Sequence, residues 1–156
     1  MKEELKERLI KHIDYLAQEM EDYSIFETLT WEIYNTQRSQ RRDVERWIEN
    51  LINSLIDISK LILTAEGIKS PETYREIVSF LSLVKGFNKE EIEKLSQWVK
   101  LRNIVVHEYL DIRWVSIKKF IQETEPLYKN FLQNVRKYLK EQLKETKEEM
   151  GYEKRD

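Results

Sequence analysis

A chain of 156 residues with 40% hydrophobic and 11% aromatic content fits one globular unit and buries enough apolar surface to exclude general disorder. Only 3 Gly and 2 Pro beside 36% charged residues leave little material for tight hairpin turns and suit helices with a wet face, which excludes an all-β fold. The lack of Cys removes disulfides, a thiolate nucleophile and thiolate metal sites, and a formal net charge of −2 means that any RNA contact has to come from a local patch.

The N-terminus, MKEELKERLIKHID, alternates charges where a signal peptide has an apolar core, and no stretch approaches the ~18 apolar residues of a membrane span. Together with the missing Cys this predicts a cytoplasmic protein. Leu5, Leu9, Ile13, Leu16 and Met20 recur at helical spacing and predict a first helix over about 2–21. The pattern loosens after Asp22 into a connector, in which Thr30 is placed to cap a short helical turn at Trp31. A stronger helix follows, with Val44, Trp47, Leu51, Leu55, Ile58 and Ile62 on one stripe and Ile48, Ile52, Ile56 and Leu63 widening it beyond a single face. Gly67 is placed to end it, and Ser70 with Pro71 reads as the N-cap and first position of a third helix over about 71–84, burying Tyr74, Ile77, Val78, Leu81 and Val84. Gly86 closes that helix, and Asn88 with Glu91 opens a fourth, over about 89–106, whose acidic Glu90, Glu91 and Glu93 suit its positive end. Asp111 is a natural N-cap for a last long helix with the stripe Trp114, Ile117, Ile121, Tyr128, Phe131, Val135 and Tyr138, which Pro126 is expected to kink or interrupt. From about Lys144 the chain turns polar. The expected architecture is all-α: an up-and-down bundle of four to five helices over 1–143 and a frayed or disordered tail over 144–156.

The chemistry concentrates in Leu101-Arg102-Asn103-Ile104-Val105-Val106-His107-Glu108-Tyr109, where a cation, an amide, an imidazole and a phenol gather at a predicted helix end. Arg offers a forked donor to phosphate, and a histidine with its ordinary pKa of about 6.5 moves protons near neutrality. On a helix Asn103 and His107 lie one turn apart on one side, whereas Arg102 and Tyr109 share another. One straight helix cannot aim all four inward, so either the helix unwinds near His107 or a second chain completes the pocket. On spacing alone, Arg102 and His107 are equally a buried polar pair holding the last helix. The other histidine, His12, sits among Lys and Glu and reads as a surface residue.

The series Arg102, four residues, His107, one residue, Tyr109 resembles the Arg-x4-His-x-Tyr signature of the HepT toxins, a branch of the HEPN superfamily of helical ribonucleases. Asn103 suits the superfamily's polar residue after the Arg, and Val44-Glu45-Arg46-Trp47, Ser54-Leu55-Ile56-Asp57-Ile58 and Pro71-Glu72-Thr73-Tyr74-Arg75 look like the family's second and third helices. The likeness spans roughly 5–140. It implies a homodimer whose motifs meet in a cleft, a metal-independent endoribonuclease using Arg102 and His107 with support from Asn103, and a minimal nucleotidyltransferase (MntA-type) antitoxin that transfers AMP onto Tyr109. The rival within the resemblance is a non-catalytic HEPN module that binds a nucleotidyltransferase or a nucleotide.

Other features carry less. Arg38, Arg42 and Arg46 share one helix face, which reads either as a solvated face paired with Asp43, Glu45 and Glu49 or as an RNA-backbone contact. Asp57, inside an apolar run, is expected to pair with an Arg or a helix cap. Trp31, Trp47, Trp98 and Trp114 are expected in the core. No Gly-rich phosphate loop, paired-His metal site or Ser-His-Asp arrangement is legible, and no cofactor is expected. The surplus apolar surface of the second helix, with the split angles of Arg102 and His107, predicts a two-fold homodimer built on the second and fourth helices, to be broken by Glu at Ile52 or Ile56.

Overall fold

The computed structural model describes residues 1–153 and is all-α. Helix α1 (Glu3–Met20) is followed by two short helices, α2 (Tyr23–Phe26) and α3 (Trp31–Thr36), and then by α4 (Arg38–Ala65). Next come α5 (Tyr74–Ser79), α6 (Lys89–Gln97), α7 (Leu101–His107) and α8 (Leu110–Glu153). The ends that the sequence marks locally are where the chain turns. Thr30 Oγ1 accepts from the Ile33 amide, Asn88 Oδ1 accepts from the Glu91 amide, and Gly67 and Gly86 take φ of 69° and 101°. Only glycine adopts those last two conformations without strain.

Helix α4 is the axis of the molecule. It packs on α1, α3, α5 and α7, and the two apolar stripes read from its sequence are both consumed in doing so: Ile52 is 0% and Ile56 3% exposed. The expected dimer surface on this helix is therefore core of the single chain. Helical periodicity reports that a face is buried and is silent on whether the same chain or another covers it. Helix α8 closes the bundle against α1, α2, α3, α6 and α7, with Ile117, Phe120, Tyr128, Phe131 and Val135 in the core.

Four boundaries differ from expectation. Helix α5 starts at Tyr74, because Thr73 caps it, its Oγ1 accepting from the Glu76 amide at 3.2 Å. Thr73 and Glu76 form a capping-box pattern that outcompetes Ser70-Pro71, and Tyr74 is consequently half exposed. The expected fourth helix is two helices joined by a tighter 3-10 turn at Trp98–Lys100, where the Trp98 ring docks edge-on against Phe120 at 5.5 Å. The last helix begins at Leu110, one residue ahead of the expected cap, so Asp111 lies in its first turn. It then runs through Pro126. Proline deprives the Gln122 carbonyl of its amide partner, but both residues lie on the exposed face, where water can take that carbonyl.

The helix also continues through 144–153, where a frayed tail was expected. A long-range contact accounts for this: buried Lys6 on α1 donates from Nζ to Thr146 Oγ1 at 2.6 Å. Residues 154–156 of the expected tail lie outside the described residues. Trp47 is buried as expected, whereas Trp31 is 39% exposed and stacks with Tyr34 and Trp114 at the α3–α8 junction.

Candidate active site

The Arg102–Tyr109 segment straddles a break between two helices. Helix α7 ends at His107, Glu108 is extended (φ −94°, ψ 162°), and α8 restarts at Leu110. The break is the unwinding near His107 that the helical angles offered as one alternative, and Arg102, Asn103 and His107 all lie before it on α7. It frees Tyr109 from the register of α7, leaving its ring 83% exposed at the mouth of the new helix.

Each motif residue has a different setting. Arg102 is half buried and its guanidinium carbon lies 5.1 Å from the centroid of the Tyr74 ring, over which Lys60 Nζ also sits at 5.1 Å. Such stacking restrains a long side chain while leaving its N–H fork available. Arg102 and Asn103 line a cavity of about 510 Å³ with Tyr74, Glu45, Glu49 and Glu72 among its walls. His107 is exposed and outside that cavity, so a buried Arg102–His107 pair is not what the fold builds. A single chain thus holds the guanidinium against one cavity and leaves the imidazole outside it, without closing around both. Val106, Ile112 and Val115 next to them are 67%, 46% and 67% exposed, an apolar surface wrapped around the polar motif.

A set of residues that the sequence did not single out holds the break. Arg113 turns back and donates from Nε to the Glu108 carbonyl at 2.6 Å. Its Nη1 lies 3.3 Å from Glu45 Oε1 on α4, and the other oxygen of Glu45 accepts from the Tyr34 hydroxyl at 2.9 Å. Burial, reinforced by the Glu45 carboxylate, pushes the Tyr34 phenol above its ordinary 10.0. Arg113 and Glu45 are 68 residues apart, and no local signal announces such a pair.

The arginine face of α4 stands apart. Arg38, Arg42 and Arg46 are exposed, and none of them takes part in an ion pair among the described residues. Of their expected partners, Glu45 is engaged by Arg113, and Arg46 lines a separate cavity with Glu19, Asp22 and Asp43. Asp57 makes no hydrogen bond or ion pair among the described residues; half exposed, it lines a shallow hollow with Lys11 and half-buried His12, so it does not need the expected arginine. Among the described residues no group of three or more His, Asp or Glu side chains is placed to hold a metal ion, and no helix is long and apolar enough to cross a membrane.

The described residues thus form an all-α bundle whose Arg-x4-His-x-Tyr series lies at a helix break. The chain belongs to the HepT-like ribonuclease family, whose model matches residues 8–135. Its fold is similar to that of a solved structure, a tri-AMPylated HEPN toxin of Shewanella oneidensis in complex with an MNT antitoxin. The match has a TM-score of 0.71 at 16% identity and covers 82% of this chain and 96% of that one. No curated protein sequence matches the chain.

Proposed function

We propose that this chain is the toxin of a toxin–antitoxin pair, a metal-independent endoribonuclease acting as a homodimer and neutralised when a nucleotidyltransferase antitoxin transfers AMP to Tyr109. The observation that carries the reading is the helix break, which leaves His107 and Tyr109 exposed to solvent at the end of the helix that carries the restrained guanidinium of Arg102. RNA supplies its own nucleophile. The 2′-hydroxyl loses its proton to a base and attacks the adjacent phosphorus, the bond to the 5′ oxygen breaks, and that oxygen takes a proton from an acid, leaving a cyclic phosphate and a 5′-hydroxyl. His107 moves the protons, Arg102 offsets the charge that gathers on the phosphate oxygens, and Asn103 holds a phosphate oxygen or orients His107. The exposed Val106, Ile112 and Val115 favour a two-fold partner placed against the motif, which brings two His107 copies to one cleft as base and acid. Arg38, Arg42 and Arg46 extend the contact along the RNA backbone.

Tyr109 serves regulation. Its oxygen attacks the α-phosphorus of ATP, pyrophosphate leaves, and the attached AMP sets a negative charge and a bulky group before Arg102 and the cleft. The AMP-bearing state of the structurally similar HEPN toxin and its MNT partner support this regulation.

Purified protein incubated with total RNA in EDTA provides the test. Cleavage is expected for the wild type and for His12→Ala, with a loss of about 10²- to 10⁴-fold in His107→Ala. Tyr109→Phe is expected to retain most cleavage, yet to escape neutralisation by the antitoxin with ATP and to carry no AMP by mass spectrometry. No cleavage by any untagged preparation would favour a non-catalytic HEPN module, and AMP on Tyr109→Phe would show that the acceptor is misassigned.

A further inference from the structure

We propose that Arg113, anchored by Glu45, is a positioning residue that fixes the helix break and thereby the direction in which His107 faces the scissile phosphate. The proposal rests on the nuclease reading above for its kinetic consequence, though not for its geometry.

Glu108 is the extended residue between the end of α7 and Tyr109. Its amide still belongs to α7, donating to the Ile104 carbonyl at 3.0 Å, whereas its own carbonyl accepts from the Arg113 side chain at 2.6 Å. The two peptide groups that flank Glu108 are therefore both held, the one before it by the old helix through its nitrogen and the one after it by the new helix through its oxygen. Without the Arg113 contact that exposed carbonyl has only water, and rotation of the peptide swings the end of α7 relative to Tyr109.

The anchor of Arg113 makes this more than a surface contact. Glu45 lies on α4 beside Val44, Trp47 and Ile48, all 2% exposed or less, so its backbone is part of the least yielding element of the molecule. The Tyr34 hydroxyl, on a fully buried side chain, occupies the second oxygen of Glu45. The side chains of Arg113 and Glu45 are only 22% and 16% exposed, which shields the pair from solvent screening. The chain of contacts runs from core to motif: Tyr34, Glu45, Arg113, Glu108, His107.

Arginine suits the position because its planar fork reaches a carbonyl with one nitrogen and a carboxylate with another in fixed relative directions. Lysine keeps the charge and one contact but carries a single nitrogen. Arg113→Lys is thus the discriminating variant, retaining the ion pair with Glu45 while releasing the Glu108 carbonyl.

The test uses the full chain and reads three quantities: the melting temperature, kcat and KM on an RNA that the wild type cleaves, and the NMR resonances of the His107 imidazole and of the Glu108 and Tyr109 amides. For Arg113→Lys we expect kcat lower by about 10- to 100-fold, the size of effect that a small misplacement of a reacting group produces. KM should stay within about twofold, with shifted His107 and Tyr109 resonances and an almost unchanged melting temperature. Glu45→Gln, a milder change that keeps an acceptor for Arg113, should show the same signature at smaller amplitude and covers the case of an unstable Arg113→Lys. Unshifted His107 and Tyr109 resonances in Arg113→Lys overturn the proposal whatever the activity, as does a loss of kcat that merely tracks melting temperature across the two variants. If the wild type cleaves no RNA while the resonances still move, the positioning role stands and the nuclease reading falls.

Discussion

The α1–α4 region and the α7–α8 break are built on opposite principles. In the first, Leu9, Ile13 and Leu16 of α1 meet an α4 whose apolar residues are almost all inaccessible, and order comes from burial. In the second, Val106, Tyr109, Ile112 and Val115 stand in solvent, and order comes from a few directional contacts, those of Arg113 and of the ring under Arg102. Burial is tolerant of small shifts and gives stability; hydrogen bonds and stacking specify direction and give little net stability. Under the proposed function the site has to open to RNA and to a modifying partner, and burial alone would not allow that.

The largest effect that separates the two regions is a charge placed in each. Ile52→Glu, on a residue with no exposure, should unfold the chain or cost about 4 kcal/mol or more in denaturant unfolding. Val115→Glu should leave protomer unfolding within ~0.5 kcal/mol and give a monomer in light scattering where the wild type is expected to give a dimer. If Ile52→Glu gave a folded monomer of 19.1 kDa, α4 would after all supply the dimer surface. The next effect falls on direction without stability. Tyr74→Leu removes the ring beneath Arg102 and should lower kcat/KM about two- to fivefold, the worth of an exposed cation–π contact; an unchanged rate would mean that Arg102 is oriented by something else.

The smallest effect tests the buried phenols. Burial raises Tyr23, Tyr34, Tyr128 and Tyr138 above their ordinary 10.0. Above about pH 10 an unfolded chain gives up these protons before the folded one does. Stability should therefore be complete below about pH 10 and fall as pH rises beyond it. Tyr34→Phe should show a shallower fall than the wild type in urea titrations at stepped alkaline pH. Equal slopes would mean that burial and the Glu45 contact together do not hold the Tyr34 proton.

How far the sequence could be read follows the same division. Thr30, Gly67, Gly86 and Asn88 act within three or four residues of themselves, so their signals are complete in the local text. Thr73 with Glu76 was equally local and was obscured by the stronger-looking Ser70-Pro71. The helix break was legible as one of two ways to reconcile the helical angles of Arg102, Asn103, His107 and Tyr109, although α8 starts two residues earlier than an Asp111 cap implies. Three things were not legible. Whether the faces of α4 were covered by this chain or by another requires knowing the neighbours of Ile52 and Ile56. The Arg113–Glu45 pair joins residues 68 apart. The helical run past Lys144 is secured by a partner near the other end of the chain.

That last contact reaches back to synthesis. Lys6 and Thr146 are 140 residues apart, so everything between them must leave the ribosome before Lys6 finds its acceptor. Until then α1 has α4 on one side and no α8 on the other, and the Lys6 ammonium has every reason to stay in water. Closing so long a loop is a late event in folding. Helix α1 is thus among the last to be locked, by the same helix whose opposite end follows Tyr109 and carries Arg113.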